Sequence, residues 1–244
     1  MYMDRVSTSA DDFVSSELAQ ARILITGLTA AAGVDVARSF ADFNARLIVH
    51  TTELSPELIE LVAVLTQSAG EIRLHTQDIS TADRAAAFAQ TSAQSYGGLD
   101  AAINMACISY EEMDAVESDD DLESLVADKL APLAQLTRVL ANRMCIVLSE
   151  GLVLNVLKMP PPRNGRDSAI AGYARTALAA MTAKEARAWA PQGIRVNAVG
   201  PCVLSSVGAA LSNEPDVATL ALHLASRKGR SLSGHVFDAD GMAC

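Results

Sequence analysis

The sequence predicts an α/β protein built on a doubly wound parallel sheet of about seven strands, with helices on both faces. Two observations predict this fold. Short apolar runs rich in Val, Ile and Leu recur along the chain, and segments with helical spacing of apolar residues separate them. A strand that returns through a helix pairs in parallel with its predecessor. We expect one domain at residues 21–244, preceded by a polar arm at 1–20.

The elements of the first half alternate strictly. Strand 23–25 ends at Thr26-Gly27, and helix 31–43 follows it. Ser55 precedes Pro56, a pairing that favours a helix start, so a second helix is predicted at 56–68. Thr81 is placed to cap a third helix at 82–93. The remaining strands of this half are 47–49, 72–74 and 101–103.

The second half continues the alternation with longer helices. An acidic loop at 111–121 precedes a helix at 122–142, whose leucines recur at helical spacing. A second long helix is expected at 169–190 and a short one at 217–225. The strands expected here are 152–157, 194–199 and 236–237.

The composition of the chain argues against some classes of binding partner. The chain has 244 residues, of which 50% are hydrophobic and only 4% aromatic, so its core must be built from Ala, Val, Leu and Ile. Lys and Arg number 19 against 29 Asp and Glu, which gives a formal net charge of −10. This surplus of negative charge argues against nucleic acid or an anionic membrane surface as a partner.

Three further features bear on where the protein works. No apolar run reaches the ~18 residues of a membrane span. The N-terminus lacks the basic and apolar regions of a signal peptide. The 4 cysteines show neither C-x-x-C spacing nor a companion His cluster, which predicts free thiols and no metal site. We therefore expect a soluble cytoplasmic protein.

Short motifs occur along the chain in a fixed order. The first is a glycine-bearing turn between the first strand and helix, where a phosphate meets a helix N-terminus in such sheets. In order, the motifs are T-G-L-T-A-A-A-G at 26–33, D-I at 78–79, L-D-A-A-I-N-M-A-C at 99–107, G-I-R-V-N-A-V-G-P-C at 193–202, and S-G with D-G within 233–241. Over residues 20–244 this series resembles the short-chain dehydrogenase/reductase family.

The resemblance implies a Rossmann-type fold and a dinucleotide, NAD(P), beyond the carboxyl ends of the strands. The cofactor contacts that it implies are Gly27, Gly33, Asp78, Ile79, Asn104 and Ser206. The sequence departs from the family pattern at Ala31, Met105 and Cys107. His50-Thr51-Thr52 stands where an acidic residue would hold the ribose of NAD, and no Arg is near for NADP. We expect a vestigial or weak pocket without tightly bound NAD(P).

The same resemblance implies four catalytic positions, filled in the family by Asn, Ser, Tyr and Lys. G-L-V-L-N-V-L-K aligns with G-R-I-V-N-I-S-S and places Lys158, its last residue, at the serine position. A-L-A-A-M-T aligns with the segment after Y-x-x-x-K, which places Ala171 at the tyrosine and Arg175 at the lysine position. Lys129, or Asp128 after a one-residue slip, takes the asparagine position. Alanine cannot exchange a proton, so we expect no catalysis.

Two other alignments would restore a catalytic residue. One uses Tyr173, but its neighbour four residues on is Ala177, and two residues along a helix turn a side chain by ~200°. The other takes 145–149 as the fifth strand with Ser149 catalytic, which leaves 152–157 unassigned. Both alignments remain alternatives on the sequence alone.

The segment that covers the substrate in the family is shortened here. Ser206 fits the position of the carboxamide contact, yet the next helix begins near Pro215. A closed pocket without water is difficult to build when this substrate lid is missing. The shortened lid and the changed catalytic positions are separate features of the sequence, and both point away from an active site.

These losses predict a non-catalytic subunit, a pseudoenzyme, of a heteromeric NAD(P)-dependent dehydrogenase. Helices 122–142 and 169–190 correspond to the dimer interface of the family, so we expect a catalytically intact paralogue as partner in a heterotetramer. The alternatives are a divergent active oxidoreductase that uses Tyr173 and a stand-alone nucleotide sensor. Lys158 and Arg175 either bind an anion or pair internally, and both possibilities stay open at this point.

Overall fold

A computed structural model of the chain describes residues 17–202 and 210–242. The strands within them are β1 Arg22–Thr26, β2 Arg46–His50, β3 Glu71–His75, β4 Ala101–Cys107, β5 Leu152–Lys158, β6 Arg195–Pro201 and β7 Val236–Ala239. They form one parallel sheet in the order β3-β2-β1-β4-β5-β6-β7. The winding reverses between β1 and β4, so the predicted doubly wound parallel sheet is confirmed.

The helices between these strands differ from the predicted ones by up to four residues at their starts and ends. In chain order they are α1 Val34–Asp42, α2 Pro56–Leu65, α3 Ala82–Ser92, α4 Tyr110–Asp114, α5 Asp119–Ile146, α6 Gly165–Trp189 and α7 Glu214–Ala225. Helix α1 begins three residues later than predicted, because Gly33 takes a left-handed φ of 85° that a helix cannot contain.

The acidic segment predicted as a loop is largely helical. Ser109 and Ser118 each form a capping box, so α4 and α5 begin directly after them. The carboxylates of 119–121 lie in the first turn of α5, where the positive end of the helix dipole favours them. The acidic residues at 119–121, which are part of the segment predicted as a loop, therefore stabilise the N-terminus of α5.

Two apolar layers hold the helices on the sheet. Helices α1, α2 and α7 pack on one face, where Ile23 and Ile25 of β1 point. Leu24, the residue between them, points to the opposite face, which α3, α5 and α6 cover. Leu18 is also buried, so the residues just before position 21 pack against the domain.

The alternative with Ser149 as a catalytic residue is wrong. Cys145 and Ile146 are the last residues of α5 rather than part of a strand, and the fifth strand is β5. The Ser149 hydroxyl donates to the carbonyl oxygen of Leu99 at 3.1 Å, just before the amino end of β4. This is the opposite end of the sheet from the ligand crevice.

Three expectations about the whole chain can be compared with its described part. Cys107 takes part in a disulfide, so the expectation of free thiols is wrong at that position. Residues 17–202 and 210–242 contain no group of three His, Cys, Asp or Glu side chains placed to hold a metal ion. Over the same ranges, no helix combines the length and the apolar character that crossing a membrane requires.

Candidate functional site

The carboxyl ends of β1, β4 and β5 meet where the winding of the sheet reverses, the crevice in which such sheets bind ligands. Gly27 follows β1 with a φ of 78°, and a Cβ at this position would lie 2.5 Å from the carbonyl oxygen of Met105. Only glycine allows this turn to approach β4 so closely.

The turn continues to Gly33, which is covered by a methionine side chain. A Cβ on Gly33 would collide with the Cε of Met105 and lie 2.9 Å from Cδ1 of Leu28. Met105 itself is buried. The space beside the N-terminus of α1, where a phosphate would approach, is therefore partly filled by the Met105 thioether.

A carboxylate from a distant part of the chain binds the same helix N-terminus. The backbone N–H of Asp35, in the first turn of α1, donates to Oε1 of Glu214 at 2.8 Å. Glu214 is the first residue of α7, and the packing of α7 on α1 brings it there. Sequence reasoning missed this residue, because no motif marks it and only the tertiary packing reveals its position.

A cavity of about 640 Å³ opens beyond β1, β2 and β4. The expected cofactor contacts Gly27, Asp78 and Ile79 line it, together with Lys129. His50 also lines this cavity. On the sequence alone, His50 is notable only because it belongs to the segment that stands where an acidic residue would hold the ribose of NAD. It accepts from the Gly27 N–H at Nδ1, and its Nε2 is 2.6 Å from the carbonyl oxygen of Gln77. Burial lowers the pKa of His50, although the hydrogen bond to Gln77 opposes this.

The Asp78 carboxylate is already engaged by its own neighbours. It accepts from the backbone N–H of Ser80 at 2.7 Å and pairs with Arg84. The hydrogen bond from the Ser80 backbone is the main cause that lowers the pKa of Asp78. The side chain nevertheless remains at the rim of the cavity, where a ligand can reach it.

Asn104 does not line the cavity, contrary to the expectation of a cofactor contact. Its Nδ2 donates to Oδ1 of Asn155 at 3.1 Å, and its Oδ1 accepts from Thr26 at 3.4 Å. Asn155 in turn donates to the hydroxyl of Thr137 at 2.9 Å. All four side chains are fully buried. Asn104 is therefore part of a polar chain that ties β1, β4, β5 and α5 together.

The position aligned with the catalytic asparagine holds an ion pair. Nζ of Lys129 lies 2.5 Å from Oε1 of Glu112, which joins α5 to α4. Burial raises the pKa of Glu112, but the hydrogen bonds from Lys129 and from the Ser109 backbone outweigh it, so that pKa is lowered overall. Asp128 is exposed and also borders the cavity.

Lys158, at the serine position, is the last residue of β5 and lies beside Cys107 of β4. It is only 5% exposed, and no Asp or Glu oxygen of the described residues lies within 4.0 Å of its ammonium. It borders a cavity of about 220 Å³ together with Ala31 and Glu214. Burial lowers the pKa of Lys158, and the nearby Glu214 charge opposes this in part.

The positions aligned with the tyrosine and the lysine both lie on α6. Ala171 is 5% exposed and packs in an apolar cluster with Leu157, Met159 and Ile170. Arg175 donates from Nε and Nη2 to Oδ1 of Asp238, at 2.8 and 2.5 Å. Of the two possibilities for this arginine, internal pairing is therefore the one observed.

The other two expected groups lie elsewhere. Tyr173 is 40% exposed on α6 and lines neither of the two cavities described above. Ser206 lies outside the residues that the structure describes. Only residues 202–213 separate β6 from α7, which agrees with the short connection expected from the sequence.

Known proteins with a similar sequence pattern or a similar fold were identified by comparison. The family model described as short chain dehydrogenase matches residues 21–216. A short-chain type dehydrogenase/reductase from Mycobacterium marinum superposes with a TM-score of 0.76 at 20% identity, over 96% of this chain and 98% of that one. A putative short-chain alcohol dehydrogenase from Sinorhizobium meliloti gives 0.74 at 21%, over 92% and 96%. A short chain dehydrogenase from Mycobacterium avium gives 0.71 at 23%, over 92% and 84%.

No protein with curated function matches the chain in sequence. The structural similarities lie below 25% identity and concern the fold. The family model, in contrast, covers most of the chain, from the strand before the glycine turn to the first turn of α7. The chain therefore belongs to the short-chain dehydrogenase family.

Proposed function

We propose that this chain is a non-catalytic subunit of a cytoplasmic, heteromeric NAD(P)-dependent dehydrogenase, in which it pairs with a catalytically intact paralogue as a heterotetramer. The buried Ala171 carries the proposal. The family reaction needs a phenol at this position to exchange a proton with the substrate oxygen. A methyl group in an apolar cluster with Leu157 and Met159 offers neither the proton nor the water-accessible space.

The surrounding charges support the same proposal. Lys129 is held by Glu112 and Arg175 by Asp238, so two of the cations at the aligned positions serve local ion pairs. The guanidinium of Arg175 is engaged by Asp238 and is therefore not free to hold a ribose. Among the described residues, no tyrosine with a lysine four positions later occurs on α6.

The residues at the N-terminus of α1 do not fit a diphosphate as they stand. The N–H of Asp35 already has a carboxylate acceptor, and Met105 covers Gly33. In the proposed complex, this chain therefore holds no tightly bound NAD(P). The cofactor and the catalytic residues belong to the partner in this account.

The contribution of the chain is then structural support through α5 and α6. The two helices lie side by side and are joined where Nε of Arg138 donates to Glu185 at 2.8 Å. The exposed face of these helices includes the small side chains of Ala131 and Ala180. A paralogue with the same helices would bury this face in a four-helix contact.

We further propose that the chain is similar to the inactive type of subunit in the two-subunit 2-[hydroxy(phenyl)methyl]succinyl-CoA dehydrogenase. A CoA-linked hydroxyacyl substrate for the partner is accordingly part of the proposal. The test is to isolate the untruncated protein from its native cells and to determine its subunits by native mass spectrometry and peptide sequencing.

We expect a complex with a second family member that carries Y-x-x-x-K, with dehydrogenase turnover in the complex and none in this chain alone. A homo-oligomer of this chain with turnover that Tyr173→Phe abolishes would contradict the proposal and favour the divergent active enzyme. Micromolar NAD binding by the chain alone, without turnover, would favour the nucleotide sensor.

A further inference from the structure

The N-terminus of α1 is capped from outside its own helix. Gly33, the residue before the helix, provides no side-chain cap, so the first N–H groups of α1 need other acceptors. The first hydrogen bond within the helix runs from the N–H of Ala37 to the carbonyl oxygen of Gly33. The N–H of Asp35 lies before this bond and is bound by Glu214 at 2.8 Å. A carboxylate thus sits where helix dipole and free N–H groups attract an anion.

Glu214 is held in this position by packing. Val217 and Ala221 of α7 and Val36 and Phe40 of α1 are buried in one apolar cluster, which fixes the two helices against each other. The first turn of α7 is fixed in turn by Asn213, whose side-chain oxygen accepts from the N–H of Asp216. The backbone that bears the Glu214 carboxylate is therefore held in place by packing and by a helix cap.

A cation lies on the sheet side of this carboxylate, at the border of the same small cavity. Lys158 is almost fully buried at the end of β5, borders the same small cavity as Glu214, and interacts with its charge. Backbone N–H, helix dipole and ammonium together form the surroundings that proteins usually offer to a phosphate. Here a side chain of the protein itself accepts from the backbone N–H, and the ammonium borders the same small cavity.

We propose that Glu214 occupies the diphosphate position of the dinucleotide site, as an internal substitute, and thereby excludes dinucleotides from this chain. The inference rests on the proposed function, in which the chain holds no tight NAD(P), and it names the residue responsible. A bound diphosphate would have to displace the Glu214 carboxylate or lie against it, with like charges in contact. The cavity of about 640 Å³ beside Gly27 and Asp78 is separate and remains open. The exclusion therefore concerns the diphosphate and not a nucleoside.

The test compares two ligands on one set of variants by isothermal titration calorimetry of the full chain. NADH carries the diphosphate, whereas adenosine does not. In Glu214→Ala we expect NADH to bind at least about tenfold more tightly than in the original protein, because a like charge is removed and Lys158 becomes available. Adenosine affinity should change by less than about twofold. Glu57→Ala, which removes a first-turn carboxylate from α2, is the matched control and should leave both affinities unchanged.

Two further variants keep the result interpretable. Glu214→Gln retains the length and the acceptor oxygen, so it preserves the cap on Asp35 if Glu214→Ala loses stability, and it should still improve NADH binding. Lys158→Met added to Glu214→Ala should reverse part of the gain, because the freed ammonium is the expected phosphate partner.

Unchanged NADH affinity in both Glu214 variants, or an equal gain for NADH and adenosine, would overturn the inference. The readout involves binding and no turnover. If the inference about Glu214 failed, the proposed role as a non-catalytic subunit would still stand. Turnover that depends on Tyr173 would refute the proposed function and would leave the role of Glu214 unaffected.

Discussion

Arg175 and Asp238 are joined by two hydrogen bonds, from Nε and Nη2 of the guanidinium to a single carboxylate oxygen, at 2.8 and 2.5 Å. The contact links the middle of α6 to β7. At this position the family alignment places the lysine that holds the cofactor ribose. The cation of this chain is instead directed to the edge of its own sheet, and the contact is structural.

This pair should contribute measurably but modestly to stability. Its partners are 30% and 43% exposed, so solvent screening limits the interaction. We expect a coupling free energy of about 0.5–1 kcal/mol in a double-mutant cycle of Arg175→Met and Asp238→Asn, measured by urea unfolding. The same cycle on the more exposed pair Arg230 and Glu150, at 3.3 Å, should give a smaller coupling. A zero coupling for Arg175 and Asp238 would contradict the structural role.

The buried ammonium of Lys158 should make stability rise with pH. Burial lowers the pKa of Lys158 in the folded chain, so the unfolded chain keeps the proton to higher pH. The folded state therefore bears the full penalty below its own pKa, and this penalty disappears as pH approaches about 10.4. Lys158→Met should raise the melting temperature at pH 7, with a gain that shrinks toward alkaline pH. The exposed Lys184→Met is the control, and a destabilised Lys158→Met at pH 7 would contradict the account.

His50 should make the protein sensitive to mild acid. Burial lowers the pKa of His50, so the unfolded chain takes up the proton first as pH falls below about 6.5. Stability is then lost progressively down to the folded pKa, with a slope of up to about 1.4 kcal/mol per pH unit.

This slope is measured by urea unfolding over a range of about two to three pH units, from pH 7.5 to pH 5. His50→Asn should flatten it, although the variant starts from lower stability because it loses a contact to Gly27. Burial also lowers the pKa of His75, so part of the slope should persist. The exposed His223→Gln is the control, and an unchanged slope in His50→Asn would refute this assignment.

Asn104 should matter for stability and not for ligands. Its amide bonds to Asn155 and Thr26 inside the sheet, so Asn104→Ala leaves buried polar groups without a partner. We expect a loss of about 1–3 kcal/mol in the free energy of unfolding. Adenosine binding, measured at a temperature where the variant is folded, should be unchanged. A selective loss of adenosine affinity without destabilisation would instead place Asn104 in the binding site.

The sheet was predictable because its signals are local. Most of the strands are apolar runs flanked by polar or glycine residues, and buried parallel strands need little else. The start of α1 was not predicted, because the left-handed conformation of Gly33 is a property of the turn rather than of an apolar pattern. The composition of segment 111–121 does not distinguish a loop from a helix start, because acidic residues favour both.

The site was only partly predictable for a physical reason. The alignment identified the occupants of the catalytic positions, since those follow from spacing along one strand and one helix. Glu214 could not be found in this way, because its role arises from the packing of α7 on α1 across most of the chain. Asn104 shows the reverse case, in which a motif residue serves the interior of the sheet instead of the ligand.

The most direct measurement of the central claim is dehydrogenase turnover of the assembled complex after single tyrosine replacements. Tyr173→Phe in this chain should leave turnover unchanged, because Tyr173 is exposed and Ala171 stands at the catalytic position. Replacement of the tyrosine in the partner's Y-x-x-x-K motif by Phe should abolish it. Turnover that is lost with Tyr173→Phe and retained with the partner's replacement would contradict the account.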